Sequence, residues 1–269
     1  MADDGAGRSG GGFRLALSVL TRIPCRPGRT DREAAGRAMA WAPLIGAIVG
    51  GLGSAVYTVA RLPLAAYSSR LLPASLALLT IAVVTGGLHL DGLADSADAL
   101  GVRGDATAVR SAMKAPGVGA FGVVALILVV LVDAAALSLA GSNGFGVIAI
   151  VTGCVAGRLA ATWSCRPGVA PATDTGLGAW VAGAVPIRRA LASTLIAAAV
   201  VAGWAVLWRR HDPARTMAVA GAALFAALAV GEVVRRIVAR HVGGLTGDVL
   251  GAVVECSTMA AYVVLALAG

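Results

Sequence analysis

Seven apolar runs of bilayer-spanning length recur along the chain, at 41–60, 74–90, 119–140, 144–163, 190–208, 216–234 and 249–268. A helix rises about 1.5 Å per residue, so about 20 residues cross a hydrocarbon core of about 30 Å. Inside that core every backbone N–H and C=O must find a partner within the protein, and continuous apolar runs of this length satisfy the demand as helices. The composition agrees: 58% of residues are hydrophobic and 13% are charged, against about a quarter charged in soluble domains. Thirty-six glycines and few aromatic residues favour close helix packing in lipid. The expected fold is an all-α, polytopic integral membrane bundle with about seven transmembrane helices.

Residues 1–12, MADDGAGRSGGG, read as a flexible, polar N-terminal tail and not as a cleaved signal peptide, since they contain no apolar h-region. A shorter amphipathic stretch at 15–23 suits the membrane interface. No linker divides residues 13–269, which read as a single membrane-embedded catalytic domain. Seven arginines between Arg8 and Arg37 place the N-terminal region in the cytoplasm. The segments 91–118, 164–189 and 235–248 then fall on the same side, together with most of the acidic residues. The formal charge of +8 reports this topology and contact with anionic membrane lipid, with no nucleic-acid role. Four cysteines without metal-ligand spacing read as small buried hydrophobes. The pattern is compatible with a homo-oligomer and does not specify one.

Directly after the second run comes GGLHLDGLADSAD, residues 86–98. Asp91, Asp95 and Asp98 follow the spacing i, i+4, i+7, which on a helix sets them within about 60° of one another. Three like charges beside a membrane need positive compensation. A hard divalent cation, Mg²⁺ in particular, takes such oxygen ligands and shares them with substrate phosphates. The expectation is therefore a diphosphate site, with His89 as a further candidate for ligand, base or phosphate donor.

Two other glycine-rich motifs join it. MKAPGVGAFG, residues 113–122, holds the only lysine, Lys114, as a cation for phosphate; Gly117, Gly119 and Gly122 leave main-chain amides accessible. HVGGLTGD, residues 241–248, brings Gly247 and Asp248 to the start of the last run, with Glu255 one i+7 step further on. A carboxylate that deep in the membrane must face the bundle interior. Arg235, Arg236 and Arg240 are candidate partners for Glu255 or for phosphate, and Arg158 could face the same cavity. Asp133, in mid-span, receives no role. A weaker signal is Gly176 and Gly178 before Trp180. Neither a Walker A motif, a dinucleotide fingerprint, a serine elbow nor HExxH is present.

GGLHLDGLADSAD, MKAPGVGAFG and GGLTGDVLGAVVE, in this order and spacing, resemble the cobalamin synthase family, the adenosylcobinamide-GDP ribazoletransferases. The resemblance covers the chain from about Arg22 onward. It implies a multi-pass enzyme of the cell inner membrane with its active site on the cytoplasmic face. That enzyme would join adenosylcobinamide-GDP to α-ribazole or its 5′-phosphate, release GMP and require Mg²⁺. On this chain it points to Asp91, Asp95, Asp98 and Asp248 as metal residues, and to Asp98, His89 and Lys114 as catalytic ones. Arg158, Arg236, Glu255, Gly117 and Gly247 would contact substrate. Ser96, Ala99 and Thr258 depart from the family pattern.

Two alternatives share parts of the signal. CDP-alcohol phosphotransferases also cluster aspartates at a membrane face, but their D-x2-D-G pattern meets Leu88 where the first aspartate would stand. A cation-coupled transporter would also use intramembrane acids, yet here the acids gather on one face and no internal repeat is evident.

Overall fold

The computed structural model describes residues 4–27, 30–63, 69–113, 117–208 and 212–268. Eleven helices account for the regular structure of these residues: α1 (Asp4–Leu20), α2 (Arg32–Arg61), α3 (Leu71–Thr85), α4 (Leu88–Gly101), α5 (Ala106–Met113), α6 (Ala120–Ser142), α7 (Gly146–Ser164), α8 (Gly176–Val181), α9 (Ile187–Trp208), α10 (Pro213–Val242) and α11 (Gly247–Leu267). Local chemistry sets several of the ends. Asp31 accepts the Ala34 N–H at the start of α2, Asp212 accepts that of Arg215 ahead of Pro213, and Thr246 accepts that of Val249. The expected tail, 1–12, overlaps α1, which begins at Asp4.

Six helices (α2, α6, α7, α9, α10 and α11) are long and apolar enough to cross a membrane. The run expected at 74–90 behaves differently. It ends at Thr85, and after Gly86 and Gly87, both at positive φ (65° and 71°), α4 departs at 90° to α3. The left-handed backbone at both glycines stops the helix. With three aspartates in its 14 residues, α4 is a limb bent away from α3 and packed against α6 and α11. At the other end of the chain α10 runs on to Val242, so the expected 235–248 loop is mostly helix.

α7 is the axis of the molecule. It is apolar on all sides and buried almost throughout, as a helix surrounded by others must be. Its neighbours come close because they meet small residues. A Cβ on Gly50 of α2 would stand 2.9 Å from Val151 Cα, and one on Gly153 would collide with the Tyr262 ring of α11. α1 packs Leu15, Ala16 and Leu20 against Ala38, Ala42 and Ile45 of α2. The outer faces of α6, α9 and α10 expose Phe121, Leu128, Leu131, Leu195, Leu207 and Phe225. An apolar belt of this extent suits lipid and not water. Cys154 and Cys165 are buried, as expected, whereas Cys25 and Cys256 are only partly so; all four are unbridged.

Candidate active site

The limb α4 makes one especially close crossing. Gly92 of α4 and Gly251 of α11 meet backbone to backbone: a Cβ on Gly92 would lie 2.9 Å from the Asp248 carbonyl oxygen, and one on Gly251 would lie 2.9 Å from Gly92 Cα. This contact carries the acidic stripe onto the first turn of α11. Asp91 is exposed, Asp95 and Asp248 are half-buried, and the three lie within electrostatic reach of one another. Burial first, then the negative charges of Asp91, Asp248 and Asp98, push the Asp95 carboxyl up to about 6. Among the described residues no three His, Cys, Asp or Glu side chains already converge at metal-binding distance.

Asp98 has other work in this arrangement. One of its oxygens accepts the Gly119 N–H at 2.7 Å and the other accepts the Gly122 N–H at 2.8 Å. The carboxylate thus caps α6, where the helix dipole favours negative charge. The glycines of 113–122 serve this contact, since a Cβ on Gly122 would stand 2.5 Å from Asp98. Two of the three amides expected to face phosphate are therefore engaged by a side chain. Gly117, at φ 100° with open space around its Cα, remains accessible. Lys114 lies outside the described residues. We expect Asp98→Ala to destabilise the protein by about 2 kcal/mol, the value of a lost charged cap. Asp98→Asn, which keeps one acceptor oxygen, should lose roughly half as much; thermal melting in detergent measures both.

A cleft of about 630 Å³ opens between the end of α1 and α4, bordered by Arg22, Gly86, Gly87 and Asp91. The Arg22 N–H donates to the Val84 carbonyl at 2.7 Å, and its side chain covers Gly86 so closely that any Cβ there would collide with it. The sequence identifies Arg22 only as one of many topology-setting arginines. Its place in one cleft with Asp91 depends on the Gly86 and Gly87 bend, which spacing alone does not reveal.

His89 points the other way, into the bundle. It is 4% exposed, and Arg158 of α7, 2% exposed, donates to its Nδ1 at 3.4 Å. Burial and then the Arg158 charge hold the imidazole well below its usual pKa, hence neutral, and Nε2 has no partner among the described residues. Arg158 and Glu255 do face one cavity, as expected, and Asp133 and Tyr262 join them there.

Arg236 belongs elsewhere. Together with Arg166 and Arg235 it binds Glu232, at distances of 2.6–2.9 Å for the shortest contact of each arginine. These guanidiniums tie α10 to the end of α7 and do not reach for Glu255. The C-terminal motif is architectural in a similar way. Leu245 donates to the Ala170 carbonyl at 2.9 Å and accepts from Ala172 at 3.1 Å. Gly178 packs so closely on the Leu245 carbonyl that a Cβ would collide with it. Gly247 opens the first turn of α11, beside Asp248.

The chain resembles known proteins over nearly its whole length. A protein of Frankia casuarinae named adenosylcobinamide-GDP ribazoletransferase is 41% identical over 263 residues, covering 94% of each chain. Proteins of the same name from Pseudomonas syringae pv. syringae (35% over 261 residues; 95% of this chain and 98% of that one) and Brevibacillus brevis (33% over 257 residues; 96% and 97%) match over similar lengths. No solved structure matches the chain. The sequence profile of cobalamin-5-phosphate synthase matches residues 12–266, and the chain belongs to that family.

Proposed function

We propose that this protein joins adenosylcobinamide-GDP to α-ribazole or its 5′-phosphate, giving adenosylcobalamin or its phosphate and GMP, at the cytoplasmic face of the cell inner membrane. The observation that carries the reading is the crossing of Gly92 and Gly251, which sets Asp91 and Asp95 beside Asp248, while Arg22 borders the adjoining cleft. An anionic and a cationic wall at one membrane face suit a diphosphate that arrives with a divalent ion. Arg22, from the arginine-rich start of the chain, lies at this same face, which supports the cytoplasmic side.

Asp91, Asp95 and Asp248 are the residues that would hold Mg²⁺. Their oxygen donors and mutual repulsion fit a hard cation, which needs only one or two carboxylates when water and phosphate complete its shell. When bound, the ion would neutralise charge on the diphosphate. The chain's own residues do the positioning. Arg22 pairs with phosphate oxygens from the cleft, and the Gly117 main chain lets the substrate approach without side-chain hindrance. A ribose hydroxyl of α-ribazole forms a new O–P bond at the phosphorus that carries the aminopropanol arm. The bridging P–O bond breaks, and GMP leaves with that oxygen. Phosphoryl transfer has a loose transition state, so orientation and charge neutralisation carry most of the rate. The hydroxyl proton departs to an oxygen of the aspartate group.

The direct test is purified full-length protein given adenosylcobinamide-GDP, α-ribazole phosphate and Mg²⁺, with GMP and corrinoid product followed together. Absence of GMP release would refute the reading, and release of CMP from a CDP-alcohol substrate would replace it with the rival one. A pH dependence follows from Asp95. Protons and Mg²⁺ compete for a carboxyl raised to about 6. At subsaturating Mg²⁺ the rate should therefore fall about tenfold per pH unit below that value. Excess Mg²⁺ should move this limb to lower pH, which rate profiles at two metal concentrations will show.

A further inference from the structure

Behind α4, between α3, α6, α7 and α11, lies a chamber of about 280 Å³ that the reaction as described does not use. Leu78 and Ile81 of α3 supply apolar wall, while Asp133, Arg158 and Glu255 are its charged lining. Asp133 is 4% exposed and Arg158 2% exposed, yet Asp133 Oδ1 and Arg158 Nε have no hydrogen-bond partner among the described residues. Buried polar atoms left unpaired in a membrane protein are costly, and two around one cavity point to a ligand that completes them. Thr85 and Leu90 border both this chamber and the cleft that holds Arg22 and Asp91, so the two spaces adjoin.

We propose that the chamber is the acceptor pocket, binding the nucleoside α-ribazole with its base inward and its ribose toward the cleft. This rests on the transferase reading above. The chamber is at the small end of small-molecule sites, too small for a corrinoid ring system and suited to a base with its sugar. The base of a ribazole, joined to its sugar through a ring nitrogen, carries no ring N–H donor. It matches the apolar wall, and its single acceptor nitrogen matches the unpaired Arg158 N–H. Ribose hydroxyls are donors and match Asp133 Oδ1. The adjoining of the two spaces leaves the sugar facing Asp91, where the phosphorus would be attacked. A 5′-phosphate, when present, stays out at Arg22, because Asp133 and Glu255 would repel it.

The test uses the full-length protein in nanodiscs. Asp133→Asn exchanges the unpaired carboxylate for an amide, and Ala134→Leu, on the chamber lining, adds only volume. Each should raise KM for α-ribazole by about tenfold or more while leaving KM for adenosylcobinamide-GDP unchanged. Calorimetric binding of α-ribazole alone, without Mg²⁺ or corrinoid, should weaken in parallel. If Asp133→Asn does not fold, Ala134→Leu decides. An unchanged KM for α-ribazole in a folded variant overturns the pocket assignment, as does a lipid chain in the chamber that α-ribazole fails to displace. Both results leave the transferase reading in place. That reading fails only if the wild-type protein releases no GMP from the two substrates.

Discussion

Asp95→Asn should cut kcat/KM by about a thousandfold, on the scale of removing a preorganised charge from a phosphoryl-transfer site, and should weaken the dependence on Mg²⁺. Asp95 is the middle of the acidic group, with Asp91 and Asp248 both acting on it. The same substitution should raise the melting temperature of the metal-free protein at pH 8. A carboxyl held at about 6, above its usual value, favours the folded state when protonated, and that contribution is lost as pH rises through about 6. The ionised Asp95 is thus a burden on the apo fold, worth roughly 1 kcal/mol once solvent screening of a half-exposed group is allowed for. Added Mg²⁺ should stabilise the wild type more than the variant. An aspartate with a structural role would give the opposite pair of results, with lower melting and activity lost in proportion. Wild-type activity and metal dependence in Asp95→Asn would remove this residue from the site.

Asp98 makes the contrast concrete. It shares the helix face of Asp95, yet both of its oxygens are taken up by the N-terminus of α6. The stripe therefore divides its labour. Its last member anchors the neighbouring helix, and the first two, with Asp248, form the acidic wall. Activity losses at Asp98 should track melting temperature, whereas those at Asp95 should run against it.

The spans were legible because lipid leaves a continuous apolar run few alternatives. The acidic stripe was legible because helical spacing fixes the relative directions of Asp91, Asp95 and Asp98. A glycine pair such as 86 and 87 permits a bend, but only the positive φ at both positions turns the limb through 90°. That turn is what brings Arg22 and Asp91 into one cleft. Gly119 and Gly122 carried the right signal, a close approach, with the wrong partner assigned. Contact with Asp98, more than twenty residues away in sequence, is not encoded in local spacing. Arg235 and Arg236 are a different case. They follow Glu232 by three and four residues, and helix geometry alone pairs them with it, so their expected partnership with Glu255 gave too little weight to the local neighbour. Asp133 stood unassigned because its surroundings come from four other helices.

Gly251→Val should abolish most of the activity, with a loss of at least about a hundredfold, while the protein still folds. The nearest atoms to a Cβ at this position are the His89 carbonyl oxygen and Gly92 Cα, both at 2.9 Å. Both are backbone, so neither can rotate away, and relief requires α4 to move off α11. Overpacking of this kind costs about 1–3 kcal/mol of stability. A displacement near 1 Å at reacting groups costs about a hundredfold in rate. The stability loss is shared by a well-packed bundle, whereas the rate loss falls on the one contact that aligns Asp91 and Asp95 with Asp248. Gly92→Ala acts on the same contact from the other side, where the Asp248 carbonyl oxygen stands 2.9 Å from the new Cβ. The double variant should therefore lose little more than the worse single one, because once the limb has lifted the second methyl has nothing left to push. Independent sites would instead multiply their losses. Rates for the two single variants and the double, with Mg²⁺ titrated for each, complete the cycle. Additive losses with unaltered Mg²⁺ affinity would mean that the crossing does not align the acidic wall.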